Sequence, residues 1–131
     1  DGSKNSIRGL DMAIHIARQS QGTISALTVK TVPGIYALHP LGFLGINSGD
    51  EAKKIIESAK VRAAKRGIKL TAKALAGDPG YDIARFANNA KNKIDLVVIG
   101  ARGRSSAKEM FLGSTSNYVL HKSKKPVLIV K

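Results

Sequence analysis

From Ile7 the apolar residues Ile7, Leu10, Ala13, Ile14 and Ala17 recur at steps of three and four, which predicts an amphipathic helix closing within residues 19–22. Residues 23–32, TISALTVKTV, are short and rich in β-branched side chains and predict a strand. Pro33-Gly34 then opens a glycine-containing loop to about residue 48. Its Ile35, Tyr36, Leu38, Phe43 and Ile46 are too apolar for a solvated loop, so it is expected to fold over its own core or to meet a partner. Residues 48–66 form a second helical pattern, with Ala52, Ile55, Ile56, Ala59 and Ala63 on one face and a stop at Gly67. A strand is predicted at 68–76. Asp78 and Pro79 then mark a helix start, as cap and first helical residue, with Ile83, Ala84, Ala87 and Ala90 turned inward. Leu96, Val97, Val98 and Ile99 run unbroken into Gly100, the mark of a strand buried on both faces. A loop with Gly103 and Gly113, a short helix at 114–121 and a strand at 126–130 complete the chain.

Helices alternating with strands in this way predict a doubly wound α/β fold. It is an open parallel sheet with helices on both faces, joined by right-handed crossovers. At 131 residues the chain has the length of one domain, 1–131. It opens on a helix preceded by Asp1-Gly2-Ser3, a tripeptide suited to the carboxyl end of a strand. A first strand is therefore expected ahead of it and is missing from the chain.

One stretch carries chemistry. Gly100-Ala101-Arg102-Gly103, nine residues, then Gly113-Ser114-Thr115 follows a strand and opens a helix. Glycines let backbone amides approach phosphate oxygens, and the helix start adds unpaired N–H groups and partial positive charge. The hydroxyls of Ser114 and Thr115 are further donors, and Arg102 or Arg104 adds charge-assisted ones. The location also agrees with ligand binding beyond the carboxyl ends of strands in open α/β sheets. The competing reading is that the glycines only shape a turn.

The stretch 100–131, GARGRSSAKEMFLGSTSNYVLHKSKKPVLIVK, resembles the C-terminal half of universal stress proteins, whose ATP-binding members carry G-x-x-G, nine residues, then G-S or G-T. Asp1-Gly2-Ser3 resembles the end of that family's first strand, and Leu27-Thr28-Val29 its second. The resemblance implies a five-stranded sheet in the order 3-2-1-4-5, ATP as bound ligand and a homodimer through the last strand. It also implies Asp1 at the nucleoside and Val29 against adenine. With the phosphate loop, the implied site is Asp1, Val29, Gly100, Arg102, Gly103, Gly113, Ser114 and Thr115, with Mg as the counter-ion an Asp could reach. Thr28 stands where many members have His.

Composition narrows the alternatives. Hydrophobic residues make up 43% and charged residues 24%, ordinary for a folded domain. No apolar run approaches the roughly 18 residues that span a bilayer, and the first residues do not resemble a signal peptide, so a cytoplasmic protein is expected. With no cysteine, disulfides, thiolate zinc sites and cysteine nucleophiles are excluded. His15, His39 and His121 lack metal-ligand spacing, and neither a Walker lysine pattern nor a kinase catalytic loop occurs. No catalytic set stands out, leaving at most a slow ATPase.

Charge supplies the competing function. Lys and Arg number 22 against 9 Asp and Glu, a formal +13, which draws polyanions over long range. Few aromatics and no Trp weaken single-strand stacking. The second helix is lysine-rich, with Lys53, Lys54 and Lys60, and its place before the third strand predicts that it lies remote from the phosphate loop. The sequence thus favours an ATP-binding stress-response module acting as a nucleotide-dependent switch. Its alternatives are a basic nucleic-acid or anionic-surface adaptor, or a cytoplasmic regulatory domain of a membrane transporter.

Overall fold

A computed structural model describes residues 1–31, 49–104 and 112–131. The apolar loop read at 33–48 lies outside the described residues. Among the described residues four helices and four strands alternate: α1 (Lys4–Gln19), β1 (Ile24–Thr31), α2 (Gly49–Ala64), β2 (Leu70–Gly77), α3 (Pro79–Asn88), β3 (Val97–Gly100), α4 (Ser114–Lys122) and β4 (Val127–Val130). One 3-10 turn, Ala90–Asn92, follows α3 and has no counterpart in the sequence reading. It is closed by side chains: Asn89 accepts from the Lys91 amide at 3.0 Å, and Asn92 donates to the Phe86 carbonyl at 2.7 Å. These bonds compete locally with helix continuation, as Asn side chains do.

The helix starts follow capping chemistry. Ser3 Oγ accepts from the Ser6 amide at 3.2 Å, and Asp78 accepts from the Tyr81 amide at 2.7 Å with Pro79 behind it. Gly67, at φ 71°, takes the left-handed turn that leads from α2 into β2.

The strands form two parallel pairs among the described residues. β1 pairs with β2 in the register Ile24–Leu70 to Thr31–Gly77, and β3 with β4 in the register Val97–Val127 to Gly100–Val130. These are the adjacencies that the order 3-2-1-4-5 requires on either side of its first strand.

Both pairs point the same way. α1 starts beside the end of β3, where a Cβ on Gly100 would lie 2.7 Å from the Asn5 carbonyl carbon, and runs back to lead into β1. The start of α2, after β1, meets Arg104, just past β3. All four strands therefore end at one pole of the molecule, with the helix N-termini around it. α1 and α2 are joined on one face by Asp11, which accepts from Arg62 at 3.0 Å and Arg66 at 2.9 Å. α3 and α4 pack on each other, and Ala87, Val97 and Val119 form a core with Ile83, Ile94, Ile99 and Val127 around it.

Candidate functional site

The carboxyl end of β3 is held down from two sides. Ala101, 3% exposed, donates its amide to the Val130 carbonyl at 2.6 Å, continuing the β3–β4 ladder by one residue. Its carbonyl accepts from the Gly113 amide and from Ser116 Oγ, both at 2.8 Å, and Ser116 Oγ also reaches the Gly113 carbonyl at 2.9 Å. One buried carbonyl thus seats the start of α4 over the strand end. Ser116, 2% exposed, is the positioning residue that sequence reasoning missed. Its signal was present as the third residue after Gly113, where a buried hydroxyl can close back on the cap.

Gly113 is the N-cap of α4 and provides no side-chain cap. The amides of Ser114, Thr115 and Ser116 belong to the first helical turn, which has no carbonyl partners of its own. They carry the positive end of the helix dipole. The backbone at Gly113, φ −64° and ψ 155°, suits any residue, and a Cβ there would meet only ordinary contacts at 3.4 Å and beyond. Nothing in the fold itself demands glycine at 113.

The other glycines differ. A Cβ on Gly103 would lie 2.7 Å from Asp1 Oδ2, so glycine lets the Asp1 carboxylate lie against this loop. Gly100 answers to packing: its absent Cβ leaves room for the α1 backbone at Asn5 and Ser6. Around them, Asp1 accepts from the Ser3 amide at 3.1 Å, and Ser3 Oγ donates to the Arg102 carbonyl at 3.4 Å.

Asp1, Arg102, Gly103, Gly113, Ser114 and Thr115 are therefore grouped at the end of β3, with Gly100 beneath them. Val29 lies apart on β1, half-buried and paired with Leu75, near the carboxyl end of its own strand.

The expected remoteness of the second helix is overturned at its start. Glu51, in the first turn of α2, forms an ion pair with Arg104, and a Cβ on Gly2 would lie 3.4 Å from Ile55. The reason is topological, since each crossover helix starts at the pole where the strands end. Lys60, paired with Glu57 at 2.7 Å, stands two turns further along.

With this geometry in hand, the chain can be set beside known proteins. The model of the universal stress protein family matches residues 1–131. The universal stress protein YxiE of Bacillus subtilis (strain 168) is 37% identical over 142 residues, covering all of this chain and 94% of that one. The solved structure of hypothetical protein MJ0577 superposes with a TM-score of 0.84 at 26% identity, covering 100% of this chain and 90% of that one. A universal stress protein solved in complex with cAMP gives 0.70 at 29% identity, covering 99% and 90%. The α/β fold, the loop spacing and these matches over the full length agree: this chain belongs to the universal stress protein family.

Proposed function

We propose that the chain is a stress-response module that binds an adenine nucleotide, ATP or ADP, at the carboxyl end of β3. The observation that carries this reading is the uncapped start of α4, seated by Ala101 and Ser116 over the end of β3. A phosphate there would take the first-turn amides and the hydroxyls of Ser114 and Thr115, with Arg102 adding charge. Asp1 is assigned to the ribose, or to a Mg ion carried in with the phosphates, and Val29 to the adenine. The relative solved with cAMP supports the ligand class.

On this reading the protein binds and signals rather than turning nucleotide over, and it acts in the cytoplasm. No helix among the described residues is long and apolar enough to cross a membrane. A second copy is proposed to pair along β4, which among the described residues has a strand neighbour only in β3.

The test is a melting curve with and without ATP, ADP and GTP, together with the mass of small molecules released on denaturing the purified protein. A rise in Tm with ATP or ADP is expected. It should vanish in Gly113→Val, whose backbone the fold tolerates but whose side chain would enter the phosphate path. No shift with any adenine nucleotide, and none released, would overturn the reading.

A further inference from the structure

The pole opposite the candidate site gathers much of the positive charge. Since all strands start there, every helix C-terminus and every strand entry lies there too. Arg18 stands in the last turn of α1; Lys65 and Arg66 follow α2, and Lys69 leads into β2. Lys91 and Lys93 lie in and just after the 3-10 turn. Lys122 ends α4, and Lys124 and Lys125 lead into β4. The Asn88 side chain ties these last two groups together, donating to the Lys122 carbonyl at 2.9 Å and accepting from the Lys124 amide at 2.6 Å. Against these nine cations the described residues of the pole carry Asp95 and Asp11, the latter shared by Arg66 and by Arg62 in the last turn of α2, while Arg85 in the last turn of α3 is paired with Asp82. All but Lys125 are exposed, and among the described residues only Arg66 of the nine is in an ion pair.

Helix dipoles explain part of this, because cations are favourable in a last helical turn. They do not explain Lys69, Lys91, Lys93, Lys124 and Lys125, which lie on strand entries and on the turn after α3. We infer that this pole is a docking surface for the phosphate backbone of double-stranded nucleic acid, bound without regard to sequence.

Three observations select that partner. Lysine dominates the pole, and lysine suits phosphate as a point charge but is depleted in protein–protein interfaces. Among the described residues, Val61 and Leu120 are the large exposed apolar side chains in helix last turns at this pole, too few to enter a bilayer. The asparagines of the pole are engaged, since Asn88, Asn89 and Asn92 all bond backbone groups. What the surface chiefly presents is charge suited to the phosphate backbone.

The test is fluorescence anisotropy of a short labelled DNA duplex with the full chain across a salt series. A variant carrying Lys69→Gln, Lys91→Gln, Lys122→Gln and Lys124→Gln is compared with one of equal net charge carrying Lys53→Gln, Lys54→Gln, Lys60→Gln and Lys73→Gln. Parental binding is expected to weaken steeply with salt and to be indifferent to duplex sequence. The polar variant should lower the slope of log K against log salt by about three to four, while the control keeps most of the parental slope. Equal loss in both variants would reduce the effect to net charge and overturn the assignment. So would absence of duplex binding, or tighter binding to phosphatidylserine vesicles than to duplex. The polar variant should retain the parental melting curve and its response to ATP, so failure here is distinguishable from failure of the nucleotide site.

Discussion

The two strand pairs solve different problems. β1 and β2 share eight residue pairs, with Lys30 and Lys73 among them and a Ser25–Thr71 hydroxyl contact at 3.5 Å on the exposed side. β3 and β4 share four, without a charged residue, and are approached by helices at backbone distance. Each pair has a strand that ends in glycine with a helix against it, yet the contacts are unlike. At Gly77 an added Cβ would collide with Asp82 Oδ2, a side-chain atom, while at Gly100 it would meet the main chain of α1. A side chain can turn aside; a helix backbone cannot do so without moving the helix. The longer pair frames the molecule, and the shorter one brings α1 and the start of α4 together at its carboxyl end.

Gly100→Ala should therefore have the largest effect, a destabilisation of about 3 kcal/mol in chemical denaturation, with α1 displaced and nucleotide affinity reduced. An unchanged denaturation midpoint would mean that the close approach of α1 and β3 is not rigid. The corresponding change on the other pair, Gly77→Ala, should cost about 1–2 kcal/mol. It displaces the buried Asp82 carboxylate from its place beside β2, while Arg85, which donates to it at 2.7 Å, can follow. Nucleotide binding should be retained. If Gly77→Ala proved the more damaging, the contrast between the pairs would be reversed.

Ser116→Ala separates seating from folding. Losing a buried hydroxyl whose single proton is shared between two carbonyls should cost about 1–2 kcal/mol, and the loosened α4 start should weaken ATP binding more than it lowers Tm. Calorimetry with ATP on the variant reads this directly, and intact affinity would show that the Ala101–Gly113 backbone bond suffices. The smallest effect is expected at the bridge between the halves. Asp11→Ala removes the partner of Arg62 and Arg66, which are part-exposed, so about 0.5 kcal/mol is expected, fading at high salt in parallel melting curves.

Much of this molecule was legible before its structure. The period of Ile7, Leu10, Ile14 and Ala17 is that of α1, and the apolar run into Gly100 is β3, because burial on one helical stripe or both strand faces must appear as spacing. The Gly103, Gly113 and Ser114 spacing singled out the segment between β3 and α4. Three features were not legible. Glu51 reaches Arg104 across more than fifty residues, Ser116 closes on Ala101 from the next helix, and the demand for glycine at 100 comes from Asn5. Local spacing determined the elements, and composition the size of the positive charge. Only the parallel arrangement of the crossovers decided which residues share a pole, because it carries every helix start to one end of the molecule and the lysines of the strand entries to the other.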